Sequence, residues 1–340
     1  PMPSRSPALH AALRPPAPVS RSRSLRSIPL LLPLLLALPY IPSSYSFSLQ
    51  SSLTSSRPNA LYGCQHKKHL LVAYRHERKK HMKALSPLAS CDTDALSRPS
   101  VHIVLPALNE AHVLEKTLLQ LVDFLDCKQW SWSVTVVDNG STDQTLEVAK
   151  RFAGAIGHGK VGFMQLEERG RGRALRAAWQ NNTASLQCYM DVDLSTSLEN
   201  FSSLVECVHN GTSPVAIASR LSRGARVIGR SRLRELTSRS LSLFINIFFW
   251  NFKIRDTQCG CKVFSKAFLD KALPLTRSTG WFLDTELLLL ARGSDMNVCE
   301  VPVRWEDDRD SRVRVVSTIL EMLRGMMSMK MRGWRYRLGA

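Results

Sequence analysis

Between Val101 and Asp193 the chain repeats one unit: a short apolar run, an abrupt polar turn, then apolar residues at helical spacing. The runs are Val101–Leu105, Val134–Val137, Val161–Leu166 and Leu186–Met190. Runs this short, closed by turn-forming residues, read as buried strands. Between them, Glu110–Phe124 carries Val113, Leu114, Leu118, Leu121 and Val122 on one helical face. Thr145–Phe152 and the segment from Gly170 through Trp179 supply two further helices. Strands that alternate with helices over such short intervals predict a largely parallel, right-handed α/β sheet. Ligands in sheets of this kind sit beyond the carboxyl ends of the strands. Asn109-Glu110, Asp138 and the pair Asp191/Asp193 all fall at strand ends, where one crevice can collect them.

The pair Asp191-Val192-Asp193 is the sharpest chemical signal. Two carboxylates at positions i and i+2 of a turn offer the oxygen ligands that Mg²⁺ and Mn²⁺ prefer. A cation held there neutralises a diphosphate and helps it leave, which points to a nucleotide diphosphate donor. The alternative for an isolated Asp-x-Asp is a solvated turn.

Six ordered motifs extend the signal: Leu105-Pro106-Ala107-Leu108-Asn109-Glu110, Val137-Asp138-Asn139-Gly140-Ser141-Thr142-Asp143, Gly170-Arg171-Gly172-Arg173, Asp191-Val192-Asp193-Leu194-Ser195, Ala218-Ser219-Arg220 and Asp256-Thr257-Gln258-Cys259-Gly260-Cys261-Lys262. In these the chain resembles the family 2 glycosyltransferases of the GT-A (Rossmann-like) fold, and within them the polyprenyl-phosphate sugar transferases, over residues 101–338. It departs from the pattern at Asn139, where a further Asp is common, in the Gly-Arg-Gly-Arg form of the third motif, and at Ser195, where some members place a Gln that helps hold metal.

The resemblance implies a set of roles. Pro106, Asn109, Glu110, Asp138 and Asp191 bind the donor nucleotide, and Asp191 and Asp193 hold Mg²⁺ or Mn²⁺. Arg220, Arg234 and Ser238 bind the acceptor phosphate, with Lys262 stabilising its charge. Arginine suits that task because its planar fork grips phosphate oxygens in pairs. Asp193, Asp256, Arg220 and Arg234 form the catalytic set, in which Asp256 orients arginine or metal ligands. Asp284 and Glu286 open a helix bordering the site, where first-turn acids also serve the helix dipole.

Basic residues crowd two further places. Seven arginines fall between Arg220 and Arg239, followed by the apolar run Leu241–Trp250, which suits an interfacial helix. Residues 313–340 read as a basic amphipathic helix. In it Val315, Ile319, Met322, Leu323, Met326, Met327 and Met331 recur at helical spacing among Arg324, Lys330, Arg332, Arg335 and Arg337, with Trp334 and Tyr336 beside them. Such a helix binds a membrane surface or a partner helix.

The formal net charge of +18 divides unevenly: residues 1–100 hold 14 Lys/Arg against 3 Asp/Glu. This stretch reads as a disordered targeting leader and linker, with Arg21, Arg23 and Arg26 before the apolar segment Ile28–Ile41. That segment is interrupted by Pro29, Pro33 and Pro39 and falls short of the ~20 residues a span needs. No nucleic-acid-binding motif accompanies the charge. The eight cysteines form no metal-type CxxC pair and read as reduced thiols.

The sequence therefore predicts a catalytic domain over 101–312. It would move one hexose, with inversion, from a nucleotide diphosphate sugar to a polyprenyl (dolichyl) monophosphate at a membrane surface. UDP-glucose leads as donor, with GDP-mannose as the alternative. The expected location is the endoplasmic reticulum membrane facing the cytosol, with a plastid as the alternative. A polysaccharide acceptor and a non-catalytic nucleotide-sugar module are rival readings. An aspartyl-phosphate phosphatase is disfavoured, because its carboxylate pair sits on the first core strand.

Overall fold

A computed structural model describes residues 98–156, 159–250, 252–306 and 315–333. The leader expected over 1–100 lies almost wholly outside these residues, as do Trp334, Arg335, Tyr336 and Arg337.

The four strands expected from the apolar runs are β1 (Ser100–Ala107), β2 (Ser131–Asp138), β3 (Val161–Gln165) and β4 (Leu186–Met190). Helices α1 (Ala111–Asp126), α2 (Thr145–Ile156) and α3 (Arg171–Gln180) connect them. The chain continues through α4 (Leu198–His209), β5 (Val215–Ser219), the short β6 (Arg226–Ile228), α5 (Arg232–Phe248) and β7 (Cys261–Ser265). It ends with α6 (Lys266–Ala272), α7 (Leu283–Gly293), β8 (Val298–Pro302), β9 (Arg304–Glu306) and α8 (Val315–Arg332).

Seven strands form one sheet in the order β3-β2-β1-β4-β7-β5-β8, and β6 pairs with β9 beside it. The pairings β3–β2–β1–β4 are parallel, as the alternation predicts. β7 departs from it: it runs antiparallel between β4 and β5. The physical reason is its connection, since β7 follows α5 and a return loop rather than a crossover of the βαβ kind.

Side-chain alternation on the strands feeds two cores. On β1, Val101, Ile103 and Leu105 pack with α1, α2 and α4, whereas Val104 faces the side covered by α3, α5, α6, α7 and α8. Residues Leu283 to Ala291 of α7 are buried without a break, so this helix has no solvent face and acts as the second core's axis. In α8, Met322, Met326 and Met329 are buried in the same core. A Cβ on Gly325 would lie 2.2 Å from the Phe282 ring, so glycine sets how closely α8 approaches α7. Cys207 of α4 and Cys299 of β8 form a disulfide, which corrects the reduced reading for that pair; Cys127, Cys188, Cys259 and Cys261 are free thiols.

A buried histidine lies inside the sheet. His102 Nδ1 is 2.7 Å from Gln187 Oε1, and Nε2 is 2.9 Å from Thr135 Oγ1. The Gln187 amide donates to Asn182 and Ala184 carbonyls, so its oxygen accepts from a neutral ring carrying the proton on Nδ1. Burial lowers the His102 pKa, against the Gln187 hydrogen bond that raises it. A folded-state pKa below the unfolded value of about 6.5 gives stability that is present above that value and lost as pH falls through it. We expect thermal unfolding to move down between pH 7.5 and 5.5, and His102→Gln to shrink that slope; an unchanged slope would remove His102 as its source.

Candidate active site

The first two strand ends are laced together. Backbone N–H groups of Asn109 and Glu110 donate to Ser141 Oγ and Thr145 Oγ1, both at 2.9 Å, and the Thr142 N–H donates to Asn109 Oδ1 at 2.7 Å. Asn109 sits at φ 58, a conformation Asn tolerates better than most residues. Asp138 is buried and accepts the Ser141 N–H at 3.2 Å, which holds the β2 turn. Asn139 Oδ1 accepts the Gly170 N–H at 2.8 Å. The family departure at Asn139 thus ties the second motif to the third. Pro106 lies at the end of β1, level with Val137 of β2.

Beyond β4, Asp191 and Asp193 share one turn. The Asp191 N–H donates to Gly260 O at 3.0 Å, and Ser195 N–H donates to Asp193 Oδ1 at 2.9 Å. Leu194 adopts φ 51, unusual for a branched side chain and of the kind that gathers at functional turns. A Cβ at position 260 would sit 1.6 Å from Asp191 Oδ2, so only glycine leaves room for this carboxylate. The Asp191 side chain is 44% exposed and Asp193 is exposed, so both can meet a ligand from solvent.

Arg171, from the third motif, was not assigned a role by the sequence. Its guanidinium donates to Asp191 Oδ1 at 2.9 Å and to Asp284 Oδ2 at 3.4 Å, and lies 4.7 and 4.8 Å from the Tyr189 and Trp281 ring centres. Burial opposes its charge, but Tyr189, Asp191 and Asp284 together raise its pKa. The only forewarning was the Gly-Arg-Gly-Arg form of the third motif, noted above as a departure.

Lys262 corrects an expectation. It is 0% exposed, and its ammonium donates to Tyr189 Oη at 2.8 Å, Cys259 O at 2.8 Å and Asp284 Oδ2 at 2.9 Å. All three donors are engaged, leaving none for an acceptor phosphate. The reason is its strand: in the β4–β7 register Lys262 stands opposite Tyr189, inside the sheet. Burial alone would raise the Asp284 pKa, yet Lys262 and Arg171 hold it below the ordinary carboxylate range. Glu286 is also structural: it accepts the Arg277 and Ser278 N–H groups and Arg332 of α8 at 2.6 Å.

At the end of β5, Arg220 grips Asp256. Nε donates to Oδ2 at 2.8 Å, Nη2 to Oδ1 at 2.9 Å and the backbone N–H to Oδ2 at 2.9 Å, while the Gln258 N–H donates to Oδ1 at 3.1 Å. Asp256 is 0% exposed; burial would raise its pKa, but the Arg220 guanidinium holds it low. A carboxylate so saturated is no proton acceptor, and Asp256 serves as a positioning residue for Arg220. Arg234 and Ser238 stand one turn apart on α5. Arg230 donates to Ser238 Oγ, and Arg230 and Arg220 lie 5.6 and 5.5 Å from the centre of the Trp305 ring. Trp305 bridges to Thr196, just past the Asp191 turn.

Contacts link the β2 turn to Arg220: Asn139 to Gly170, Arg171 to Asp191, Asp191 to Gly260 and Asp256 to Arg220, with the chain segment 256–260 joining the last two. Among the described residues no cluster of three His, Cys, Asp or Glu stands ready as a metal site. Magnesium-type ions, however, usually take one or two protein carboxylates and complete their shell with substrate phosphates and water. Asp191 and Asp193 fit that pattern.

The chain is similar to several known proteins. The sequence signature of Glycosyl transferase family 2 matches residues 102–273. Glycosyltransferase AglD of Haloferax volcanii is 34% identical over 237 residues; the match covers 69% of this chain and the chain spans only 37% of that relative. The dolichyl-phosphate beta-glucosyltransferase of Saccharomyces cerevisiae is 26% identical, covering 67% of this chain and 73% of its own. Among solved structures, glucosyl-3-phosphoglycerate synthase from Mycobacterium tuberculosis, in complex with Mn²⁺, UDP and glucosyl-3-phosphoglycerate, superposes with a TM-score of 0.50 at 18% identity. It covers 69% of this chain and 79% of its own, a likeness of fold.

Proposed function

This chain belongs to glycosyl transferase family 2 and is a glycosyltransferase, and from that premise we propose that it transfers glucose from UDP-glucose to a dolichyl-type polyprenyl monophosphate. The observation that carries the reading is the segment Asp256–Gly260. It touches the carboxylate turn at one end, through Gly260 and Asp191, and the Arg220 grip at the other. Two sites meet there, one built for a cation and diphosphate, the other for an anion. The yeast relative's name supports glucose and dolichyl phosphate as the substrates.

Asp191 and Asp193 would hold Mg²⁺ or Mn²⁺, which when bound supplies positive charge to the leaving diphosphate. Pro106, Asn109, Glu110 and Asp138 line the nucleotide's side of the crevice. Arg220, fixed by Asp256, and Arg234 with Ser238 orient the acceptor phosphate. Its second ionisation lies near pH 6, so its oxygen attacks without a general base. One C–O bond forms at the anomeric carbon as the bond to the nucleotide diphosphate breaks, which inverts the configuration. The resident side chains contribute positioning and fixed charge.

We place the reaction at a membrane surface, at the endoplasmic reticulum with the site facing the cytosol, and two helices support the membrane surface. On α5, Leu236, Leu243 and Ile247 are exposed, and on α8, Leu320, Met327 and Met331. Both triplets follow the spacing i, i+7, i+11, which keeps each within about 20° of one line along its helix. Each stripe lies opposite the buried side, marked by Ile245 on α5 and by Met322, Met326 and Met329 on α8. Lys330 of α8 donates to Phe248 O of α5 at 3.0 Å, joining the helices, and Trp250 nearby is 79% exposed. No helix among the described residues is long and apolar enough to cross a membrane. We expect Leu243→Ser/Ile247→Ser to lower binding to anionic vesicles about tenfold or more in a flotation assay. Unchanged flotation would rule out the α5 stripe.

The direct test incubates the protein with polyprenyl monophosphate, Mn²⁺ or Mg²⁺, and labelled UDP-glucose or GDP-mannose in parallel. Label from UDP-glucose in an acid-labile lipid is the expected result. Label from GDP-mannose alone would overturn the sugar, and label from neither the acceptor.

A further inference from the structure

Arg230 belongs to the arginine-rich stretch named above and has no part in the roles assigned so far. Arg230 precedes the N-cap Ser231 of α5, one residue outside the helix. Its Nη2 donates to Ser238 Oγ, while its Nη1 is buried and meets no hydrogen-bond partner. Its guanidinium and that of Arg220 share the Trp305 ring. Burial, and then the nearby Arg220 charge, push its pKa down to about 10. Arg220 has Asp256 as a counter-ion, and Arg239 has Glu235 at 2.7 Å, but Arg230 has no carboxylate within salt-bridge distance among the described residues. A buried guanidinium nitrogen left unpaired is costly, and the groups that remedy it are anionic oxygens. The N-terminal end of the seventeen-residue helix α5 adds its own partial positive charge beside it.

We propose that Arg230 is a direct ligand of the acceptor phosphate, clamping it from the side opposite Arg220 and selecting a doubly charged phosphate monoester over uncharged or singly charged acceptors. The inference rests on the transfer to a lipid phosphate proposed above. Trp305 fixes the spacing: its ring holds two guanidinium planes that would otherwise repel, and an incoming dianion relieves the repulsion. Ser238 acquires a second task, since its hydroxyl steadies Arg230 and remains close to the same phosphate. The site is thus a three-arginine cradle with one fork already neutralised and one waiting.

The experiment compares wild type, Arg230→Met and Arg230→Lys with a short-chain isoprenyl monophosphate as acceptor, reading KM for acceptor and donor separately, with inorganic phosphate as competitor. In Arg230→Met the acceptor KM should rise about 10- to 100-fold, the range of a charge-assisted hydrogen bond to phosphate. The donor KM should stay within about twofold, since among the described residues no hydrogen bond joins Arg230 to the β1 and β2 turns. Inorganic phosphate should inhibit wild type competitively against the acceptor and inhibit Arg230→Met more weakly. Arg230→Lys keeps the charge but loses the planar fork, and should raise acceptor KM by roughly threefold or more; it reads the proposal even where Arg230→Met fails to fold. An unmoved acceptor KM, or equal shifts in both KM values, would overturn the assignment. Wild type is the control for the parent reading: without labelled lipid from wild type, the acceptor proposal falls, whereas labelled lipid with unmoved KM removes Arg230 alone.

Discussion

Asp193→Ala is expected to lower the transfer rate by about 10²- to 10³-fold while leaving the fold intact. The magnitude is that of removing one group that stabilises charge developing in the transition state. The intact fold follows from its position: Asp193 is exposed, in a turn, and outside both cores. Surface substitutions of that kind change stability by only about 0.5 kcal/mol. Initial rates over a Mn²⁺ titration, with a thermal unfolding curve for each variant, check both halves. Raising the metal concentration should recover part of the lost rate if Asp191 still holds the ion. A fully active variant at every metal concentration would remove Asp193 from the site. Asp191→Ala should behave differently, because it also takes from Arg171 one of its two carboxylate partners among the described residues, leaving Asp284.

Lys262→Met should be the most damaging single change to stability. It strips Asp284, buried beneath the site, of its closest cation and leaves the Tyr189 hydroxyl without the ammonium it accepts from. Breaking a buried pair by removing one partner costs about 3–5 kcal/mol. For a domain of this size that lowers Tm by roughly 10 °C or more. The double variant Lys262→Met/Asp284→Leu should regain much of the loss, because replacing both charges by apolar groups leaves no uncompensated ion. Calorimetry on the two variants decides it: equal losses would mean that Lys262 acts by packing rather than by charge. The same pair predicts little change in acceptor KM beyond that caused by unfolding, since the ammonium faces the core.

Much of the β1–β4 half was legible in the chain because its signals are local. Each of the strands β1 to β4 is a bounded apolar run, and each ends in residues whose turn chemistry is unmistakable. The misreadings all involve partners distant in sequence. Lys262 sits in Cys-Lys-Val-Phe-Ser, where nothing nearby reports that the strand is inserted antiparallel between two parallel neighbours. Its partner Asp284 lies 22 residues away and Tyr189 73 away. Arg171 looked like one arginine of a variant glycine motif, and its value emerges only where Asp191 and Asp284 converge. Helical periodicity in residues 315–331 did mark a helix, but could not say which stripe faces inward. Met329, absent from the expected stripe, is buried, whereas Met327 and Met331, both included, are exposed. The resemblance likewise named Arg234 and Ser238 but passed over Arg230, whose setting is defined by Trp305, some 75 residues downstream.

The reversed strand β7 has a consequence for anyone who wishes to recombine such enzymes. A parallel sheet can be cut between crossovers, because each half brings its own loops. Here the loop that enters β7 belongs to both halves: Gly260 makes room for the carboxylate of one, and Asp256 sets the arginine of the other. A chimera that exchanges acceptor preference must therefore carry 256–262 together with β5 and α5. Its junction would then rejoin β4 across a foreign Gly260–Asp191 contact, so the graft brings its new lipid headgroup preference only when the recipient's turn after β4 accepts that glycine.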